Sequence, residues 1–257
     1  MVSLSSIPFY NNKLHLIAKF TNVKERLESL QDGNIYMNCL GIYKKIEQEQ
    51  GKKGVGDRYD GHSVITNIAD LTAYHPETGE ELGKIAASKI SFAYDAILAM
   101  PTFCSFAVDS TLLEIIGEDE DSYLVELVLK SEKLERIIGD FGEHVLLIDF
   151  AVFTKEILKA VTEKGYALVG KRVKYADYSI NQSMRLKDGQ NIDIAFWKSD
   201  EFVHQNEHRF VIPTLGVETP LILQIGDLRE HSQIYVARDL IAKPVRFHVP
   251  KPPKKAN

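Results

Sequence analysis

Cysteine is scarce in this chain: Cys39 and Cys104 are the only two, far apart and each among apolar neighbours. That excludes a disulfide framework and a cysteine-built metal cluster, and it fits reduced core thiols in a cytoplasmic protein. No run of 18 apolar residues occurs, and the first residues lack the basic-then-apolar order of a signal peptide. Neither a membrane span nor export is therefore expected, and no membrane partner. Positive charge is not in excess, since the formal net charge is -5, and this argues against bulk attraction to nucleic acid or anionic lipid. The phosphate-cradling G-x-x-x-x-G-K-[ST] run and the G-x-S-x-G elbow are both missing. The commonest nucleoside triphosphatase and hydrolase signals go with them.

What is present is a core: 257 residues at 44% hydrophobic content bury enough surface for one large domain. No repeat and no linker interrupts the pattern, so residues 1–250 read as a single α+β domain and residues 251–257 as a disordered tail. Leu14 to Phe20 reads as a strand, Thr21 as the N-cap of a helix reaching Gln31, and Asn34 to Asn38 as a second strand after Gly33. A helical segment to Gln50 precedes GKKGVGDRYDGH, read as a surface loop. Ile65 to Ile85 reads as a hairpin around HPETGEE, with further strands at Ser88 to Tyr94 and Thr102 to Val108.

Tyr123 to Leu129 follows as a strand, a helix capped by Ser131 ends near Gly139, and His144 to Phe150 is a strand. The helix Thr154 to Lys164 stops at Gly165, and Tyr166 to Tyr175 is extended. Tyr178 to Gln190 reads as an exposed loop and Asn191 to His208 as a helix with Ile194, Trp197 and Phe202 on one face. Arg209 to Pro213, Leu221 to Ile225, Gln233 to Val236 and Val245 to Val249 complete the strands. Mixed or antiparallel sheets with short flanking helices are expected, without the regular alternation of a doubly wound sheet.

Three constellations carry chemistry. His204, Glu207 and His208 match H-x-x-E-H, which on a helix would aim two imidazoles at one zinc as in a metallopeptidase. A solvated helix end accounts for the same residues, and no metal site is assigned. Asp57 and Asp60, with Glu47 upstream, place carboxylates between glycines where they would hold a cation or a hydroxyl-bearing ligand, or simply form a turn. Gln205, Glu207 and Arg209 are alternate residues at the entrance to a strand. In extended chain they share a face, either as a polar site or as a surface ion pair worth about 0–1 kcal/mol.

FTNVKERLESLQDGNIYMNCL, GVGDRYDG, TFCSFA and WKSDEFVHQNEHRF together resemble the successive motifs of a widespread, functionally uncharacterised bacterial family. Its outline is similar to that of the ADP-ribosyltransferase superfamily. The resemblance implies an NAD cleft, with NAD as substrate, transfer or hydrolysis at the nicotinamide–ribose bond, and a macromolecular acceptor. It further implies a role of the phage-defence or toxin-effector kind. Glu207 matches the late catalytic glutamate, while Lys19, Phe20 and Thr21 match the end of the opening strand. Lys19 stands where many NAD-using members have His or Arg, and Asp60 where the family loop has glutamate. Asp57, Asp60, Gln205 and Arg209 would contact the nucleotide, and Phe20, Tyr59 or Trp197 would stack on a flat ring. A catalytically silent nucleotide- or protein-binding module is the alternative, and the zinc metallopeptidase a third. At an exposed strand entrance, Glu207→Gln is expected to leave folding within about 0.5 kcal/mol of the parent.

Overall fold

The computed structural model describes residues 2–50 and 57–253, with the side chains at 44, 47–50, 70, 85 and 86 outside the description. In chain order the elements are β1 (Val2–Ser3), β2 (Leu14–Thr21), α1 (Lys24–Gln31), β3 (Asn34–Cys39), α2 (Leu40–Gln50), β4 (Ser63–Tyr74), β5 (Glu81–Phe92), α3 (Asp95–Leu98) and β6 (Pro101–Asp109). They continue as β7 (Leu113–Glu118), β8 (Ser122–Leu127), α4 (Ser131–Phe141), β9 (His144–Asp149), α5 (Phe150–Glu163), β10 (Val169–Arg172), β11 (Lys174–Ala176) and α6 (Ser183–Asp188). The last are β12 (Trp197–Ser199), β13 (Glu207–Val211), β14 (Leu221–Gln224), β15 (Ser232–Val236), α7 (Asp239–Ala242) and β16 (Arg246–Pro250). The fold is α+β with mainly antiparallel sheets and short helices, and among the described residues no helix is long and apolar enough to cross a membrane.

The main sheet runs β10-β13-β6-β2-β9-β15, with β3 joined to β6 and β14 to β3. Alternation along its strands sends side chains to opposite faces, and each face has its own core. On one, Ala18, Phe20, Phe106 and Val145 pack under the smaller sheet β1-β7-β8-β16 and helix α4. On the other, Ile17, Phe103, Ile148 and Phe210 meet Leu27 and Leu30 of α1 and Phe153 and Ile157 of α5. A third cluster, built on Leu40, Ile194, Phe196, Trp197 and Val211, closes the β13 end. At β6 the sheet divides: β3 pairs with Thr102 and Pro101, β2 with Phe106 to Asp109, and residues 103–105 lie between the two.

Gly142, at the end of α4, shows why this junction needs glycine. Its φ of 125° is open only to a residue without Cβ, and a methyl group there would land inside the backbone of Thr21 and Asn22. Gly142→Ala is expected to destabilise the fold by at least about 2 kcal/mol, read as a lower midpoint in urea unfolding. An unchanged midpoint would mean that α4 does not dock on the end of β2 as described.

Several expectations are corrected. Residues 191–208 do not form one helix: Ile192–Phe196 and Asp200–Gln205 are short 3-10 turns on either side of β12, which pairs in parallel with β11. Apolar spacing at Ile194, Trp197 and Phe202 mimics a helical face, but the pairing of β12 and the burial of the third cluster decide the local structure. Residues 178–190 are not an exposed loop, because they contain α6 with Arg185 fully buried, donating to Val64 O and Ile180 O. Within the supposed surface loop, Asp57, Asp60 and His62 are buried, while residues 51–56 and the side chain of Glu47 lie outside the described residues.

Ser88 to Tyr94 is not a separate strand but the end of β5 in a hairpin longer than expected. Residues 166–175 divide into β10 and β11. The caps also differ: Val23 and Lys130 precede α1 and α4 without side-chain capping bonds, while Asp149 caps α5 by accepting from Val152 N. The chain remains tied at Lys251, whose N–H donates to Asp121 O, and residues 254–257 lie outside the described residues.

Candidate functional site

Chain geometry delivers Gln205, Glu207 and Arg209 to one place. Asn206 adopts the left-handed conformation (φ 40°, ψ 52°), its Nδ2 donates to Ala107 O at 2.6 Å, and its carbonyl accepts from Ala107 N at 2.8 Å. Asparagine tolerates this conformation better than a branched residue would. From that corner β13 runs with Glu207 opposite Phe106 and Arg209 opposite Cys104, so both side chains leave the sheet on the same face. The β11–β12 pair brings in Lys198, and the turn Asp57–Asp60 lies against all three.

The result is a buried ionic network. Glu207, Arg209, Lys198 and Asp60 are 6%, 1%, 3% and 1% exposed. Arg209 Nε donates to Glu207 Oε1 at 2.6 Å and Nη1 to Ala195 O at 2.7 Å, while Nη1 lies 2.8 Å from Asp60 Oδ1. Lys198 Nζ donates to Gln205 Oε1 at 2.8 Å and to Glu207 Oε2 at 3.3 Å. Gln205 Nε2 in turn donates to Asp140 Oδ2 at 2.8 Å, and His204 Nε2 lies 2.7 Å from the same oxygen. Tyr175 OH accepts from Glu207 N at 2.9 Å. In the division beside β6, Lys19 Nζ donates to Cys104 O at 2.7 Å.

Burial and pairing set the charges. Burial pushes the Glu207 carboxyl up, but Arg209 and Lys198 overcome it and hold the group well below the usual carboxylate range. Burial likewise raises Asp57 and Asp60 against the opposing pull of Arg209 and Lys198. The Cys104 thiol is pushed up to about 12 by burial and by Glu207, which leaves it a poor nucleophile. Burial lowers Lys19, while in Lys198 the neighbouring Glu207 and Asp60 outweigh burial and raise it. Such a carboxylate stays ionised at every physiological pH and is a weak proton acceptor, suited to electrostatic stabilisation more than to general-base work.

Among the residues expected in the site, Glu207, Arg209, Gln205, Asp57 and Asp60 are brought together, while Lys19 donates to Cys104 O and sets its ammonium 4.9 Å from the centre of the Phe103 ring. The alternate-residue reading of 205, 207 and 209 holds, but the pair is buried, not a surface ion pair. Phe20 instead packs edge-on against Phe106 in the core, and Trp197 is a core residue whose Nε1 donates to Asp188 Oδ2. Thr21 ends β2, its hydroxyl accepting from Val23 N. Tyr59 stacks on Tyr178 at 5.1 Å with 19° between planes. The helix that would put His204 and His208 on one face does not form: His204 turns to Asp140, whereas His208 packs against Phe150 and Phe210 on the other face of the sheet. Among the described residues no cluster of three or more His, Cys, Asp or Glu is spaced to hold a metal ion.

Lys198, Asp140, Tyr175 and Tyr178 were not singled out in the sequence. Lys198 alone had a local signal, standing between Trp197 and Ser199 in a short segment otherwise suited to burial. Comparison with protein-family models, with curated proteins and with solved structures finds no match to this chain.

His208 gives a pH test of the sheet behind the site. Burial, then Arg172, lowers its imidazole to about 4, and its Nδ1 has no hydrogen-bond partner among the described residues. The folded value lies below the ordinary 6.5, so the stability the neutral ring contributes is complete above that pH. It is lost as pH falls towards 4, by up to about 3 kcal/mol. His208→Phe is expected to flatten the pH dependence of urea unfolding between pH 7 and pH 4. A slope equal to the parent's would contradict a buried neutral ring.

Proposed function

We propose that the network around Glu207 is the site of an NAD-using enzyme acting at the nicotinamide–ribose bond, by transfer or hydrolysis, as the motif resemblance implies. The observation that supports this most is convergence. Segments as distant as Asp57–Asp60, Cys104, Lys198 and Glu207 meet at one charged cluster. Burying so many charges is weak evidence for stability, because replacing them with apolar groups is often neutral or stabilising, and perturbed ionisable groups gather at functional sites.

In this reading the ionised Glu207 stabilises positive charge on the ribose as the glycosidic bond lengthens. Nicotinamide leaves with the bonding pair. A water or acceptor oxygen bonds to the anomeric carbon and releases its proton to solvent. Lys198 and Arg209 keep the carboxylate ionised and fixed. The proposal extends to a cellular role of the phage-defence or toxin-effector class, with a macromolecular acceptor.

One observation favours a second reading. Both Glu207 oxygens already accept hydrogen bonds within the protein, as befits a catalytically silent nucleotide- or protein-binding module. The two are separated by incubating the purified chain with NAD and candidate protein and nucleic-acid acceptors, reading free nicotinamide and the melting midpoint together. Nicotinamide release supports the enzyme. A midpoint raised by NAD without release supports the silent nucleotide-binding module.

A further inference from the structure

We infer that Asp140 and Gln205 are positioning residues: a relay of hydrogen bonds from Asp140 on α4 through the Gln205 amide holds the Lys198 ammonium against Glu207. For its effect on rate the inference rests on the reading of Glu207 as the reacting carboxylate, and for its effect on Lys198 it rests on the side-chain geometry alone.

The relay is continuous. Gln205 Nε2 donates to Asp140 Oδ2 at 2.8 Å, Gln205 Oε1 accepts from Lys198 Nζ at 2.8 Å, and Lys198 Nζ donates to Glu207 Oε2 at 3.3 Å. Gln205, Lys198 and Glu207 are buried, whereas the Asp140 side chain is 21% exposed, so the relay joins a carboxylate at the surface to one in the interior. Asp140 is itself held from two directions. His204 Nε2 lies 2.7 Å from the same oxygen, and because a carboxylate only accepts, the ring donates there. Two residues further on, Gly142 docks α4 against the backbone of Thr21 and Asn22, so the acceptor belongs to an element apart from the β11–β12 pair that carries Lys198.

What Asp140 supplies is polarity. The two ends of a primary amide are nearly equal in size, one accepting and one donating, and shape alone does not decide which neighbour each end meets. A carboxylate oxygen takes only the NH2 end, and that leaves the carbonyl end for Lys198. Turned over, the amide would set an N–H against the ammonium and a carbonyl against the carboxylate, two repulsive contacts where water does not screen them. Arg209 Nε already serves Glu207 Oε1 at 2.6 Å, and Lys198 is the cation at Oε2. Of the two bonds that Lys198 makes, the one to Gln205 is the shorter, so the amide sets where the ammonium stands relative to Glu207.

The test compares Asp140→Leu, which keeps the branched shape and removes the acceptor, with Asp140→Asn, which removes the charge and keeps an acceptor oxygen. Two quantities are read below the melting midpoints of all the proteins. The first is ammonium proton exchange of Lys198 by NMR on lysine-15N-labelled protein, with the signal assigned by its loss in Lys198→Met. The second is kcat and KM for nicotinamide release from NAD. In Asp140→Leu the exchange is expected to be at least about tenfold faster. There kcat should fall at least about tenfold with KM within about twofold of the parent, because Asp140 acts through Lys198. Asp140→Asn should stay within about threefold of the parent in every quantity. A leucine variant that matches the parent in exchange, an asparagine variant as impaired as the leucine one, or release unchanged while Lys198 is freed would overturn the positioning role. Should the leucine variant not fold, Gln205→Met, which has no amide to orient, takes its place with the same expected values, and a Lys198 exchanging there as in the parent overturns the relay. If the parent releases no nicotinamide, the NAD reading falls by itself and the exchange of Lys198 alone decides the relay.

Discussion

Replacing Arg209 by methionine is expected to lower the melting midpoint by about 10 °C or more. The side chain fits the space of the aliphatic stem, so the loss is mainly one of charge. Arg209 links Glu207, Asp60 and the carbonyl of Ala195, and its removal leaves two buried carboxylates with Lys198 as their nearest cation. Breaking a buried pair from one side costs about 3–5 kcal/mol, and in a chain of this size each kcal/mol moves the midpoint by about 2–4 °C. Adding Asp60→Asn and Glu207→Gln to the methionine variant removes the stranded charges, and part of the lost stability should return. A single variant melting with the parent would mean that solvent already reaches the cluster.

Glu207→Gln is expected to lower nicotinamide release by two orders of magnitude or more, if the carboxylate faces the developing cation. It will not be silent in folding, contrary to the expectation from an exposed strand entrance. The carboxylate is buried between Arg209 and Lys198, and the amide leaves both cations short of a counter-charge, at a cost of about 3 kcal/mol or more. Activity is therefore compared at a temperature where melts show both proteins folded. The low folded pKa has a further consequence. Glu207 contributes stability that is complete above its ordinary value of 4.5 and is lost as pH falls through the depressed folded one. Below pH 4.5 the parent should lose its advantage over the glutamine variant, and a gap that stays constant down to pH 3 would mean that the charge is not what stabilises.

Much of the frame was legible because apolar periodicity reports burial directly. The runs at Leu14, Asn34, Thr102, His144 and Gln233 all became strands of the main sheet, and the alternation of Gln205, Glu207 and Arg209 correctly put the three together. The depth of the site was not legible. A lysine or aspartate in sequence reads as solvent-facing, yet Asp60 is buried against Arg209 from a segment far away in the chain, and Lys198 is buried against Glu207 through a turn that the helical reading of 191–208 did not foresee. No local pattern encodes the pairing of Asp60 with Arg209. The misread helix at 191–208 has a related cause: Ile194, Trp197 and Phe202 do face apolar surroundings, but through two 3-10 turns and a three-residue strand held by its partner β11.

The proposed chemistry is tested most directly by nicotinamide release from NAD, measured on the parent and on Glu207→Gln at a temperature where both are folded and with candidate acceptors present. Steady release by the parent, at least about a hundredfold slower in the variant, is the predicted result. Equal release from the two proteins, or none from a well-folded parent, would contradict it and leave the Glu207 network to a silent binding module.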